Sequence, residues 1–194
     1  MKINMTDTPK PTWSYIRKQL LYIGKDELIA LVKDLYALSP QNKRFMEARF
    51  APRGEQAVSI LDDYKQQIVY CFFGKRDLPT DAPRLKDARK LIRDYRKATN
   101  DALGALDLML HYVETGTQYT NNLADISEPF YNSLESVLYD FKQELVNLPD
   151  PQSVYDLFTG RLSALRKATY HIGWGYGDEV GSVLDDLAEF FGEK

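Results

Sequence analysis

Residues 100–115 read NDALGALDLMLHYVET. Set at about 100° per residue, Ala102, Leu103, Leu106, Met109, Leu110 and Val113 cover one side of a helix, and Ala105, Leu108 and Tyr112 cover most of the other. A helix that is apolar nearly all round belongs in the interior, with neighbours on several sides. Only Asp107, His111 and Glu114, at i, i+4 and i+7, interrupt it with a narrow polar stripe. The segment predicts an all-α fold with this helix at its centre. Asn100 is expected to cap it and Gly116 to stop it.

Working outward, helical signals recur in both directions. Thr12 can cap a first helix that Gly24 ends, and Lys25-Asp26-Glu27 opens a second with Leu28, Leu31, Val32 and Leu35 on one face. Ser39-Pro40 places a cap before a proline whose missing N–H costs nothing at the first helical position. Val58, Leu61, Tyr64, Ile68 and Cys71 repeat at helical spacing, although 68–73 alone also suits a strand. Beyond the central helix, Ser127-Glu128-Pro129 and Asp150-Pro151 start two more, and Asp178-Glu179 a last one. The expectation is an irregular multi-helix bundle or helical-hairpin array of about nine helices. It reads as one domain over 1–194, with 1–11 a flexible tail and 74–83 an internal loop between two halves.

Composition bounds the function classes. The chain has 194 residues, of which 44% are hydrophobic and 27% charged, so it can bury a core. Thirteen tyrosines predict polar seams in that core, because each buried hydroxyl needs a partner. A single cysteine excludes an internal disulfide. Met1 to Pro11 lacks the apolar centre of a signal peptide, and no apolar run approaches a membrane span, so no membrane partner and a cytoplasmic location are expected.

Three features could carry chemistry. On the central helix, Asp107, His111 and Glu114 have ligand spacing, and His171, Asp178 or Glu179 could complete a divalent-metal set, His171 being the one chosen. Metal sites usually show a second His-carboxylate pair on another helix, and none stands at tight spacing here. Pairing with a cation from a neighbour, Arg161, Arg166 or Lys167, is therefore favoured, and no cofactor is expected. The run from His171 to Glu179 is glycine-rich, but Asp178 and Glu179 would repel a phosphate at the helix start. Its bland reading packs Trp174 and Tyr176 across the core, and its sharper one makes them a binding surface. The third feature is the helix over 84–97, with seven bases and two acids in a chain of net charge −3. Lys86, Lys90, Arg93 and Lys97 form a basic row that could meet nucleic acid. The negative total favours instead a solvated face or docking on Asp185, Asp186 and Glu189.

Asp107 to Gly116, then Tyr119-Thr120-Asn121, Asp125-Ile126 and Glu128-Pro129-Phe130-Tyr131-Asn132-Ser133, resemble a family of bacterial proteins described only as a domain of unknown function. Ile172-Gly173-Trp174-Gly175 and Asp26-Glu27-Leu28-Ile29 are similar to it as well. The resemblance implies a helical bacterial cytoplasmic protein and no particular activity or catalytic residue. The leading functional expectation is a non-enzymatic protein-interaction module with an unidentified protein partner. Its surface is placed on a polar loop over 117–125, through Tyr119, Asn121 and Asn122, and on Trp174 and Tyr176. A metalloprotein built on the Asp/His/Glu stripe and a nucleic-acid binder built on the basic helix are the alternatives.

Overall fold

The computed structural model describes residues 10–51, 54–74, 82–123 and 126–192. Those residues form nine helices and no strand, so the all-α bundle is the fold. They are α1 (Trp13–Leu20), α2 (Lys25–Leu38), α3 (Pro40–Phe50), α4 (Glu55–Phe73), α5 (Leu85–Thr99), α6 (Ala102–Leu123), α7 (Glu128–Val146), α8 (Pro151–Thr169) and α9 (Tyr176–Phe191). Residues 68–73 are helical, which closes the strand alternative. The tail 1–11 and the loop 74–83 lie largely outside the described residues.

The chain falls into two compact units, residues 1–46 and 47–194. No breaker marks that boundary in the sequence, because α3 runs across it unbroken. In the first unit the caps are local: Thr12 Oγ1 accepts from the Tyr15 amide at 3.4 Å, and the Gly24 amide donates to Glu27 at 3.2 Å. Ser39 Oγ accepts from the Asn42 amide at 3.1 Å and starts α3. Neither α1 nor α2 buries a residue.

In the second unit α6 is the hub, packed against α4, α5, α7 and α8, while α9 packs on α7 and α8. Leu106, Leu108, Leu110, Tyr112 and Val113 are all buried, from both sides of the helix, as an all-round apolar pattern requires. Two expectations about α6 are corrected. Asn100 is not its cap: it ends α5 in the left-handed region at φ 56°, and Asp101 Oδ1 accepts from the Gly104 amide at 3.0 Å instead. Gly116 does not stop the helix, which continues to Leu123. A Cβ on Gly116 would lie 2.4 Å from Leu134 Cδ2, so this glycine lets α6 and α7 approach closely.

The tyrosine seams are present. Tyr112 OH meets Ser133 Oγ at 2.8 Å, Thr117 Oγ1 meets Tyr176 OH at 2.8 Å, and Thr120 Oγ1 meets Tyr131 OH at 2.6 Å. Among the described residues no buried side-chain nitrogen or oxygen lacks a hydrogen-bond partner.

Candidate functional site

The polar stripe of α6 is half-buried, at the edge of the packed interior. Arg161 on α8 grips it from one side: its Nη1 reaches Asp107 Oδ1 at 2.5 Å, while Nε and Nη2 reach the two oxygens of Glu114 at 2.9 and 2.6 Å. The last pair is the parallel fork that guanidinium and carboxylate form best. From the opposite side Lys65 on α4 places Nζ 2.7 Å from Asp107 Oδ2. Two cations thus face two carboxylates, and three helices are tied together through one face of α6.

His111 takes no part in the ion pairs. Its Nε2 donates to the Lys65 carbonyl oxygen at 3.3 Å, which leaves the proton on that nitrogen. Burial lowers its basicity, against the opposing pull of Glu114. Asp107 shows the reverse balance. Burial would raise its pKa, but hydrogen bonds and charge from Lys65 and Arg161 outweigh that and hold it below the usual carboxylate range. Arg161 is likewise penalised by burial and more than compensated by Glu114 and Asp107.

The fourth member of the metal set, His171, is exposed in the turn after α8. Among the described residues no group of three or more His, Cys, Asp or Glu side chains is arranged to hold a metal ion. Chemically, the arrangement around Arg161 is a closed ion-pair network, and of the three cations considered for it Arg161 is the one that arrives. Beside it an open cleft of about 280 Å³ runs between α6 and α8, floored by Ala164, Leu165 and Ala168 and rimmed by Gln118 and Asn121.

The expected aromatic and polar surface divides. Thr117 to Leu123 is helix rather than loop, and residues 124 and 125 lie outside the described residues. Tyr119 is buried among Phe72, Phe73 and Phe130, with ring centroids 6.1, 5.4 and 5.8 Å away, because the helix turns it into the α4–α7 interior. Tyr176 is fully buried against Tyr131, its hydroxyl on Thr117. Neither can be a contact residue. Asn121 and Asn122 are exposed, Asn121 donating to the Ala168 carbonyl at 3.0 Å. Trp174 is 60% exposed, and with φ 61° it occupies a region that large side chains rarely adopt. It does not pack across the core.

On α5 the buried stripe is Ala88, Ile92, Tyr95 and Ala98, which leaves Lys86, Lys90, Arg93 and Lys97 exposed. Lys90 pairs with Asp94 at 2.5 Å. The rest of the helix leans on α7 rather than on α9, through Arg89 with Asp140 at 3.8 Å and Arg96 with Glu144. Two of the three α9 carboxylates expected to meet it are engaged elsewhere: Asp185 with Arg166 at 2.6 Å and Asp186 with Lys142 at 2.5 Å.

Sequence reasoning overlooked the exposure of an apolar face on α2. On α2, Leu28, Ile29, Leu31, Val32, Leu35 and Leu38 are between 37% and 74% exposed, and α1 adds Trp13, Tyr15 and Ile16. The periodicity that marks this face was readable; that α1 and α3 leave it uncovered within residues 10–46 was not. Among the described residues no helix is long and apolar enough to cross a membrane. No family model, curated protein or solved structure matches the chain.

Proposed function

We propose that the chain is a non-enzymatic protein-interaction module whose contact face is formed by α1 and α2. The observation that carries this reading is the uncovered apolar face of α2, on a helix with no buried residue. Helices of about 12–15 residues are marginal alone in water, and most draw their stability from burying an amphipathic face. The 14 residues of α2 have such a face, and none of the described residues of its own unit buries it. Contiguous apolar surface beyond about 600 Å² is uncommon on monomers and marks contact sites. Eleven large apolar side chains between Trp13 and Leu38 are exposed, six of them on α2.

The α6 stripe supports the same reading from the other direction. Its carboxylates are engaged by Arg161 and Lys65, and its imidazole by a backbone carbonyl, so its polar groups stabilise the bundle. Replacing Val32 with a photo-crosslinking residue in cells of the source organism tests the proposal. Protein adducts of defined mass are expected, and they should vanish when Leu28→Glu and Leu35→Glu are added. Irradiation that yields no protein adduct would overturn it.

A further inference from the structure

Independently of the α2 face, we infer that the outer face of α5 binds the phosphate backbone of duplex nucleic acid. At about 100° per residue, the buried Ala88, Ile92, Tyr95 and Ala98 centre on one side of the helix, and Lys86, Lys90, Arg93 and Lys97 fall within about 60° of one another on the opposite side. All four bases are exposed. The acids of the helix do not cancel them: Asp87 pairs with Arg84 at 3.4 Å and Asp94 with Lys90 at 2.5 Å, both at the edge of the row. Among the described residues Lys86, Arg93 and Lys97 have no carboxylate within ion-pair distance, whereas Arg89 and Arg96, turned toward α7, have theirs in Asp140 and Glu144. Arg49 on α3 adds a cation at the C-terminal end of the row, its guanidinium donating to the Lys97 carbonyl.

The layout of the charge selects the ligand. Lys86 and Lys97 are 11 residues apart, and at a rise of about 1.5 Å the four charges are strung over about 16 Å. They cannot converge on one small anion. An acidic helix would have to set a carboxylate opposite each base, whereas duplex DNA offers a phosphate charge about every 1.7 Å of its axis and meets such a row in any register. No large apolar side chain is exposed on α5, so the face gives a bilayer nothing to bury. The helix's one aromatic residue, Tyr95, is buried, which leaves no platform for stacking unpaired bases and favours the duplex over a single strand. The chain's net charge of −3 limits affinity without removing the site, because distant carboxylates are screened beyond about 8–10 Å while the row is in contact.

Fluorescence anisotropy of a labelled DNA duplex titrated with the full chain provides the test. Contact between phosphates and Lys86, Arg93 and Lys97 implies a slope of about −2.7 in log affinity against log salt, a loss of about 40-fold from about 50 to 200 mM NaCl. Duplexes of different sequence should bind alike, since no base edge is read. The triple variant Lys86→Gln, Arg93→Gln, Lys97→Gln should bind at least about 10-fold more weakly at about 50 mM NaCl and lose most of the slope. Its helical circular dichroism should be kept, because the three side chains are exposed and glutamine is a good helix former. Lys167→Glu with Ser153→Glu, on α8, lowers the net charge by the same amount and should leave binding within about two-fold of wild type. No anisotropy change at about 100 µM protein in low salt would overturn the inference. So would an equal loss in both variants, or tighter binding to phosphatidylserine vesicles than to the duplex.

Discussion

At Arg161 a single side chain decides whether two carboxylates can stay where they are. It lies between Asp107 and Glu114 with its side chain about one-third exposed, so solvent still screens the pair in part. Breaking a fully buried pair from one side costs about 3–5 kcal/mol, and partial exposure here brings the expected loss to about 2 kcal/mol. Arg161→Met should therefore lower the unfolding free energy in urea by that amount at neutral pH. Adding Glu114→Gln to it should return a good part of the loss, because Glu114 has lost its guanidinium while Asp107 keeps Lys65. A single variant as stable as wild type would mean that the network contributes nothing. Sequence alone marked Asp107, His111 and Glu114 as a stripe in need of partners, since no other charge interrupts the helix. It offered three cations for the role, and only the crossing of α8 over α6 selects Arg161.

Helix by helix, the pattern of apolar residues was highly legible, and the misreadings share a cause. Gly116 was taken as a stop signal because glycine is a poor helix former, yet its missing side chain makes room for Leu134 on α7. Tyr119 sits in a string of polar residues and so reads as surface, while its ring completes a cluster contributed by α4 and α7. In each case the deciding contact is distant in sequence. Gly116 and Gly160 make a controlled comparison. Both are interior to helices, but a Cβ at Gly160 would meet nothing within 4 Å. Gly160→Ala should raise stability by about 0.5–1 kcal/mol through helix propensity. Gly116→Ala should lower it by about 1–3 kcal/mol through overpacking, and Leu134→Val should rescue part of that. Equal effects of the two substitutions in thermal melts would contradict the close α6–α7 approach.

Over the whole molecule, residues 47–194 bury their aromatic and aliphatic side chains around α6, while α1 and α2 leave theirs in solvent. That contrast was not legible beforehand, because a 3.6-residue period shows that a helix has an apolar face and says nothing about what covers it. Amide hydrogen exchange tests the consequence directly. Amides of α6 should exchange slowly, since their protection comes from within the chain. Amides of residues 28–38 should exchange fast in the protein alone, because that helix buries no residue. Protection of that segment equal to that of α6 in the protein alone would contradict an α2 face left open for a partner.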